Sequence, residues 1–413
     1  MKRKLIKQMC REWRDNIWLI LSLMVVFTVV WGGLWFIHAE VYGLFLPKGF
    51  DCTDVYSLNV RMIEESSPYY EEEGKDGESM RGDFEVLLRR LREHPTVEAV
   101  MYHWGALPYN YNFMGNNLTV ADDTIPKYYG NMREASPEIV DVIKLKSLTG
   151  STPAQLKEML RRGELLISDN EDFEEKGYDP ISLKGRKVFI GSDTAKLYRI
   201  GDVIENVRRN DYEPAWAGTI IKPDDSSWGQ VAVRVKPGMG KKFEEAFKDN
   251  KELRISRNVF LTELESMSDM REANQRSIEI NIRQLIVLVS FVLLTIFLGL
   301  LGTFWFRIQQ RVGEIAIRKI CGATRRNILG RVLSEGLLLL LIAAVISSVI
   351  LWIFVIPGLL EKIGASESSE WWIKTLWIEL IALGLVAAGI VLSLLYPAFR
   401  AMNIEPALAV KSE

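Results

Sequence analysis

At 413 residues, with a formal net charge of −2 and 48% hydrophobic residues, the chain is longer than one ordinary domain. A net charge this small says nothing about partners until it is split by region, and it gives no basis for nucleic-acid binding. The three cysteines, Cys10, Cys52 and Cys321, exclude a disulfide scaffold, because the topology below leaves Cys52 alone outside the cytoplasm.

The hydrophobic residues fall into four blocks of about 20, each long enough to cross roughly 30 Å of hydrocarbon. Ahead of the first, residues 1–16 read as an amphipathic helix on the inner membrane surface. Leu5, Ile6, Met9 and Trp13 take one side, and Lys2, Arg3, Lys4, Lys7, Arg11 and Arg14 largely the other. Residues 17–38 are the first span. A cleaved signal peptide is the competing reading, but the apolar run is too long and no A-x-A site follows Ile37-His38-Ala39-Glu40. The span is expected to be permanent, with the amino terminus inside.

Residues 39–260 hold no run that could span a bilayer. They are expected to form an exported, periplasmic α+β domain of two lobes, because strand and helix patterns alternate along them. Strands are expected at Asp54–Ile63, Val97–Trp104, Val140–Leu148, Leu165–Ser168, Lys187–Gly191, Gly218–Ile221, Val231–Val235 and Leu253–Asn258. Helices are expected at Phe84–Glu93, stopped by Pro95, at Pro153–Arg162 with Thr152 as cap, and at Gly240–Asn250. From Leu261 a polar stalk helix is expected to run unbroken, through residues 261–284, into the second span.

Tempting chemistry in this domain fails on inspection. Gly238-Met239-Gly240-Lys241 is no phosphate loop: the motif needs a glycine where Val235 stands and Ser or Thr where Lys242 stands. His38, His94 and His103 have no metal-ligand spacing. The acid clusters Glu71-Glu72-Glu73, Asp122-Asp123 and Asp224-Asp225 read as solvated loop charge, since burying paired carboxylates is costly. Tyr102, Trp104, Tyr109, Tyr111 and Phe113 could line a ligand surface or simply pack. No catalytic residue and no cofactor is expected.

The remaining spans are 285–306, 336–360 and 380–399. A periplasmic loop at 361–379 carries Glu361, Glu367 and Glu370, with Trp371, Trp372 and Trp377 at the interface. Glu379 borders the last span and either snorkels outward or faces a helix partner. Residues 400–413 form a cytoplasmic tail. Basic clusters on one side and the acidic loop on the other predict four spans with both termini cytoplasmic.

The chain is organised around the loop 307–335. Ile308, Val312, Ile315 and Ile320 recur mostly at helical spacing, among Arg307, Arg311, Arg318, Lys319, Arg325, Arg326 and Arg331. Cys321-Gly322-Ala323-Thr324 should break the helix. Gly322 can take positive φ, and Thr324 can cap a second helix. One reading is topology alone, positive charge fixing orientation. The other is a docking surface on which a cytoplasmic partner pushes.

The order E-I-A-I-R-K-x-x-G-A-T, followed by L-x-E at Leu333-Ser334-Glu335, resembles the cytoplasmic loop of the macrolide-exporter (MacB)/FtsX-like family of ABC transporter permeases. The tail, from Pro397-Ala398 through Pro406 to Leu408, is similar to that family's ending, with Ala409-Val410-Lys411 in place of Ala-Leu-Arg. Weaker likenesses lie in His94-Pro95-Thr96-Val97 and in Ile200-Gly201-Asp202 with Ala217-Gly218-Thr219. The resemblance implies a permease of the bacterial inner membrane that has no nucleotide-binding motif of its own. Its partners would be a separate cytoplasmic ATPase that holds the ATP, a second permease chain, and possibly a periplasmic adaptor. It implies mechanotransmission for export or extraction of a peptide, antibiotic or lipoprotein. The alternatives are regulation of a cell-wall hydrolase or a membrane-anchored sensor. The implied coupling residues are Arg311, Glu314, Arg318, Lys319, Gly322, Ala323, Thr324 and Glu335, with Arg318 and Lys319 facing acids on the ATPase.

Overall fold

A computed structural model describes residues 13–71, 80–110, 114–121, 127–170, 173–174, 177–212, 217–224, 228–310, 313, 315, 317, 320–358 and 371–402. The amphipathic helix expected over 1–16 falls almost wholly outside these residues, as do most of the outer loop and the tail. The chain divides into a helical unit, residues 1–40 with 280–413, and an α+β unit, residues 41–279.

The helical unit rests on α1 (Trp13–Val41), the later part of α6 (Met267–Gln310), α7 (Arg325–Ile350) and α8 (Trp371–Met402). Each is long and apolar enough to cross a membrane. Leu19, Leu23, Val26, Phe27, Val30 and Trp31 recur every three or four residues, so they form one stripe of α1. That stripe packs with Leu339, Leu340, Ala343 and Ala344 of α7 and with Ile378, Ala382, Val386, Ile390 and Leu394 of α8. The alanines let the backbones approach closely, the usual device where lipid supplies no hydrophobic drive. The later part of α6 reaches this core through Leu293, while Val287, Phe291, Leu294 and Leu298 are exposed along it.

The last span differs from the expected boundaries. Helix α8 begins at Trp371, so the expected outer loop 361–379 loses nearly half its length to the helix. Its apolar stretch runs Trp372–Tyr396, and Glu379 lies inside it rather than at its border. The helix tolerates that carboxylate because it faces a helix partner: Trp352 donates its indole N–H to Glu379 at 2.8 Å. The backbone of α7 passes into a π-helical turn at Leu351–Val355, the turn that carries Trp352.

The α+β unit contains β1 (Val55–Met62), α2 (Met80–Glu93), β2 (Val97–Trp104), β3 (Met114–Val120), β4 (Tyr128–Ala135), α3 (Ile139–Val142), α4 (Pro153–Arg161), β5 (Leu165–Ser168), β6 (Lys187–Ile190), β7 (Asp193–Ile204), β8 (Gly218–Pro223), β9 (Gln230–Val235), α5 (Gly240–Asp249), β10 (Ile255–Ser256) and β11 (Val259–Ser266). The strands run in the order β10-β11-β1-β9-β2-β4-β3-β6-β7-β5-β8, and β8 returns to pair with β4. The strands from β4 to β8 therefore close a ring, while β10, β11, β1, β9 and β2 form an open sheet. These are the two lobes. The open sheet and helices α2 and α5 share a core of Leu58, Phe84, Leu87, Leu91, Val233 and Phe243. The ring encloses Leu118, Tyr128, Ile167, Phe173, Val188 and Ile200. A further core, with Met101, Ile139, Val142, Leu156, Leu166 and Ile221, includes residues of both lobes.

Most expected elements form, and the cap of α4 is complete. Thr152 accepts from the Gln155 N–H, and the Gln155 side chain answers the Thr152 N–H, a capping box with Pro153 at the first turn. Three expectations fail. The strand at Val140–Leu148 is instead the short helix α3, followed by a turn in which Lys144 takes φ 51°. Its apolar residues are buried all round, so their run carries no period that separates helix from strand. The strand at Leu253–Asn258 shrinks to the two residues of β10, after a 3-10 turn at Lys251–Leu253. The stalk helix does not begin at Leu261. Residues through Ser266 form β11, antiparallel to β1, and the helix starts at Met267. Ser266 sets that boundary, accepting the Asp269 N–H at 3.1 Å through its hydroxyl.

Candidate functional site

The corner between α6 and α7 forms where the residue chemistry requires it. The Cys321 N–H closes the last helical turn on the Ile317 carbonyl at 3.0 Å. Gly322 then takes φ 91°, in the left-handed region that side chains with a Cβ disfavour. An added Cβ at Gly322 would meet nothing within 4 Å, so conformation and not space selects glycine. Thr324 is extended at φ −75°, ψ 158° and accepts the Asn327 N–H, so α7 begins with a side-chain cap.

A small core holds the corner. Ile308, Ile315 and Ile328 are buried together, with Ala323 and Val332 packed against them. Ala323, one of the implied coupling residues, thus contributes to shape from inside the corner. Ile320 departs from the expected apolar stripe: it is 64% exposed, and Ile317 is 59% exposed. With Cys321, Gly322 and Arg326, also exposed, they give the tip an open surface of mixed apolar and cationic character. Glu335 and Arg331 lie one turn apart on the first part of α7, both partly buried. Arg311, Glu314, Arg318 and Lys319 lie outside the described residues.

The other sequence candidates do not assemble. Among the described residues no group of three or more His, Cys, Asp or Glu could hold a metal ion. His103 is wholly buried, and burial, reinforced by the Arg133 guanidinium, pushes its pKa down to about 3. It is a neutral core imidazole whose Nδ1 accepts the Ala106 N–H at 3.3 Å. The aromatic set separates: Tyr102 packs edge-on against Phe84, Tyr109 is buried, and Trp104 is exposed. Tyr111 and Phe113 lie outside the described residues. Cys52 is partly buried, and burial pushes its thiol up to about 12, so it is no nucleophile.

Residues 286–406 match the model of the FtsX-like permease C-terminal family, a stretch holding the later part of α6, the corner, α7 and α8. No curated protein matches the chain. Among solved structures, the extracellular domain of the ABC-type transporter YknZ from Gram-positive bacteria is 12% identical, with 51% of this chain and 100% of that chain covered and a TM-score of 0.31. The periplasmic region of MacB from Actinobacillus actinomycetemcomitans is also 12% identical, with 59% and 97% covered and a TM-score of 0.31. Residues 286–406 are thus similar to the C-terminal part of FtsX-like permeases, the family that the loop and tail motifs resemble.

Proposed function

We propose that this chain is the permease subunit of an ABC transporter that works by mechanotransmission. A separate cytoplasmic ATPase, the holder of the ATP, docks on the corner at 307–335 beneath two permease chains. Closure of the ATPase dimer drives α6, and α6 moves the α+β domain on the outer side of a bacterial inner membrane. Both termini are then cytoplasmic. The substrate, a peptide, antibiotic or lipoprotein, is exported or extracted without passing between the spans, with a periplasmic adaptor as a further partner.

One observation carries this reading. A single helix of 44 residues, Met267–Gln310, starts in the α+β domain and runs on toward the corner. At 1.5 Å per residue such a helix is about 66 Å long, roughly twice the hydrocarbon thickness. The exposed apolar face of its later part, Val287 through Leu298, supports a second permease chain as neighbour. Arg318 and Lys319 would pair with acids on the ATPase, and Gly322 and Thr324 set the angle at which the corner presents them.

The test is copurification in gentle detergent. The full chain should retain an ABC ATPase, and reversing both charges, Arg318→Glu with Lys319→Glu, should release it. A chain that retains no ATPase under any mild condition would sink the reading.

A further inference from the structure

Where α6 enters the α+β domain, three separate stretches of chain converge on one buried carboxylate. Asp211 lies between β7 and β8, and its side chain is 1% exposed. Tyr109, from the turn after β2, donates its hydroxyl to Asp211 at 2.7 Å. Lys48, from the segment ahead of β1, places its ammonium 3.0 Å from the same oxygen. Arg271, in the first turns of α6, donates Nε to the other oxygen at 2.8 Å and brings Nη2 to 2.5 Å. All these groups belong to the α+β unit.

The neighbouring residues tie the same stretches. Arg208 donates to the Gly43 carbonyl at 2.6 Å and to the Leu46 carbonyl at 3.1 Å. The Tyr109 N–H reaches the Arg209 carbonyl at 2.6 Å, while Asn274 of α6 donates to the Tyr109 carbonyl at 3.3 Å. Tyr109 itself is held at φ 60°, a strained conformation that persists only when surroundings over-determine it. Burial alone would raise the pKa of Asp211, but the nearby Gln275 amide and the bonded Tyr109, Lys48 and Arg271 hold it at about 2. The carboxylate is therefore ionised at every physiological pH, and the cluster is not a pH switch.

Ionic bonding on this scale is a poor way to gain stability, since well-packed apolar residues of similar volume often do as well. Charge-assisted bonds give direction instead: they fix which atoms move together. Arg271 is half exposed and Lys48 is 40% exposed, so either tie can be cut without opening the core.

We infer that Asp211 is the positioning residue that transfers movement of α6 to the incoming segment at 43–48 and to the ring strands β7 and β8. This rests on the mechanotransmission reading, and it names where that movement enters the domain.

The test is hydrogen exchange on the full chain, alone and with its ATPase, comparing wild type with Arg271→Ala and Arg271→Lys. In the wild-type complex, trapping with ATP and vanadate should change exchange at 267–275 and at 205–212 together. In Arg271→Ala the change should stop at 267–275, and Arg271→Lys should restore part of it. A change that still reaches 205–212 in Arg271→Ala would overturn the inference and leave mechanotransmission standing. No change in either stretch of the wild-type complex would overturn mechanotransmission, and the inference with it. The chain without ATPase reads the tie by itself: Arg271→Ala should raise exchange at 205–212 about tenfold, with β1 and β9 unmoved. Equal protection there in both proteins would show that the tie carries nothing.

Discussion

Gly322 offers the sharpest test of the corner. Its φ of 91° lies in the left-handed region, and a Cβ there would touch nothing within 4 Å. Gly322→Ala therefore introduces no clash and removes no contact; its whole effect is conformational. A residue with a Cβ held in the left-handed region costs roughly 1–2 kcal/mol. The corner is exposed, so this strain should be relieved by reshaping the turn rather than by unfolding the protein. If the ATPase needs the native turn, its affinity for the chain should fall about five- to thirtyfold. Gly322→Asn provides the control, because asparagine enters the left-handed region more readily than alanine; it should lose less. The assay is titration of the ATPase onto the purified chain in nanodiscs, with melting temperature followed in parallel. Equal affinity for glycine and alanine would refute the argument, as would an asparagine variant weaker than the alanine one.

Arg234 is buried and donates to the Val142 carbonyl at 2.7 Å, to the Thr53 carbonyl at 2.9 Å and to the Asp51 carbonyl. Arg234→Ala should destabilise the α+β domain by about 3–5 kcal/mol in denaturant titration, and Arg234→Met, which fills the volume but leaves the carbonyls unpaired, should rescue little. His103 makes the domain acid-sensitive: its folded pKa of about 3 lies below the ordinary histidine value of 6.5, so the unfolded chain binds the extra proton. Stability should then be full above about pH 6.5 and fall with acid by up to about 1.4 kcal/mol per pH unit. His103→Gln should flatten that slope between about pH 4.5 and 6.5, above the range where Asp202 and Asp211, both held at about 2, contribute. The comparison is best made with His94, whose pKa burial also lowers, replaced by glutamine in both proteins.

What was legible in the sequence was what neighbouring residues decide among themselves. Thr152 with Pro153 and Gln155 makes a cap from four consecutive positions. Gly322 and Thr324 make the corner from three. The four spans follow from composition, because the bilayer sets their length. Strands β3 and β4 were not legible, because M-G-N-N-L-T-V and Y-Y-G-N-M-R-E-A contain poor strand formers. They are strands because the ring closes through them, and distant fits select their glycines. A Cβ on Gly115 would come within 2.8 Å of the Tyr129 ring, and one on Gly130 within 3.1 Å of the Gly218 carbonyl oxygen. The start of α6 is obscured in the sequence for a different reason. Leu261-Thr262-Glu263-Leu264-Glu265 alternates like a strand, but its acids resemble the polar helix that follows. Asp211 was invisible: its hydrogen-bond partners Tyr109 and Arg271 lie 102 and 60 residues away.

On the proposed reading α6 is a lever, which must keep its shape between the points where it is gripped, and it has different means of doing so along its length. At its start, Met267 and Met270 pack into the domain core, and Arg271 and Asn274 are bonded to the domain. In its apolar part no water competes for the backbone, so every N–H and C=O must bond within the helix. The stretch between has a support of its own in its sequence. There the sequence places Glu272 four residues before Arg276 and Glu279 four residues before Arg283. Glutamate ahead of the base at that spacing is the favourable order, worth about 0.2–0.5 kcal/mol per pair, and the two pairs recur seven residues apart on one face. Such sums are trivial beside the stability of a domain. They are large beside the cost of fraying one helical turn, and fraying is the failure that would stop a push at one end from arriving at the other.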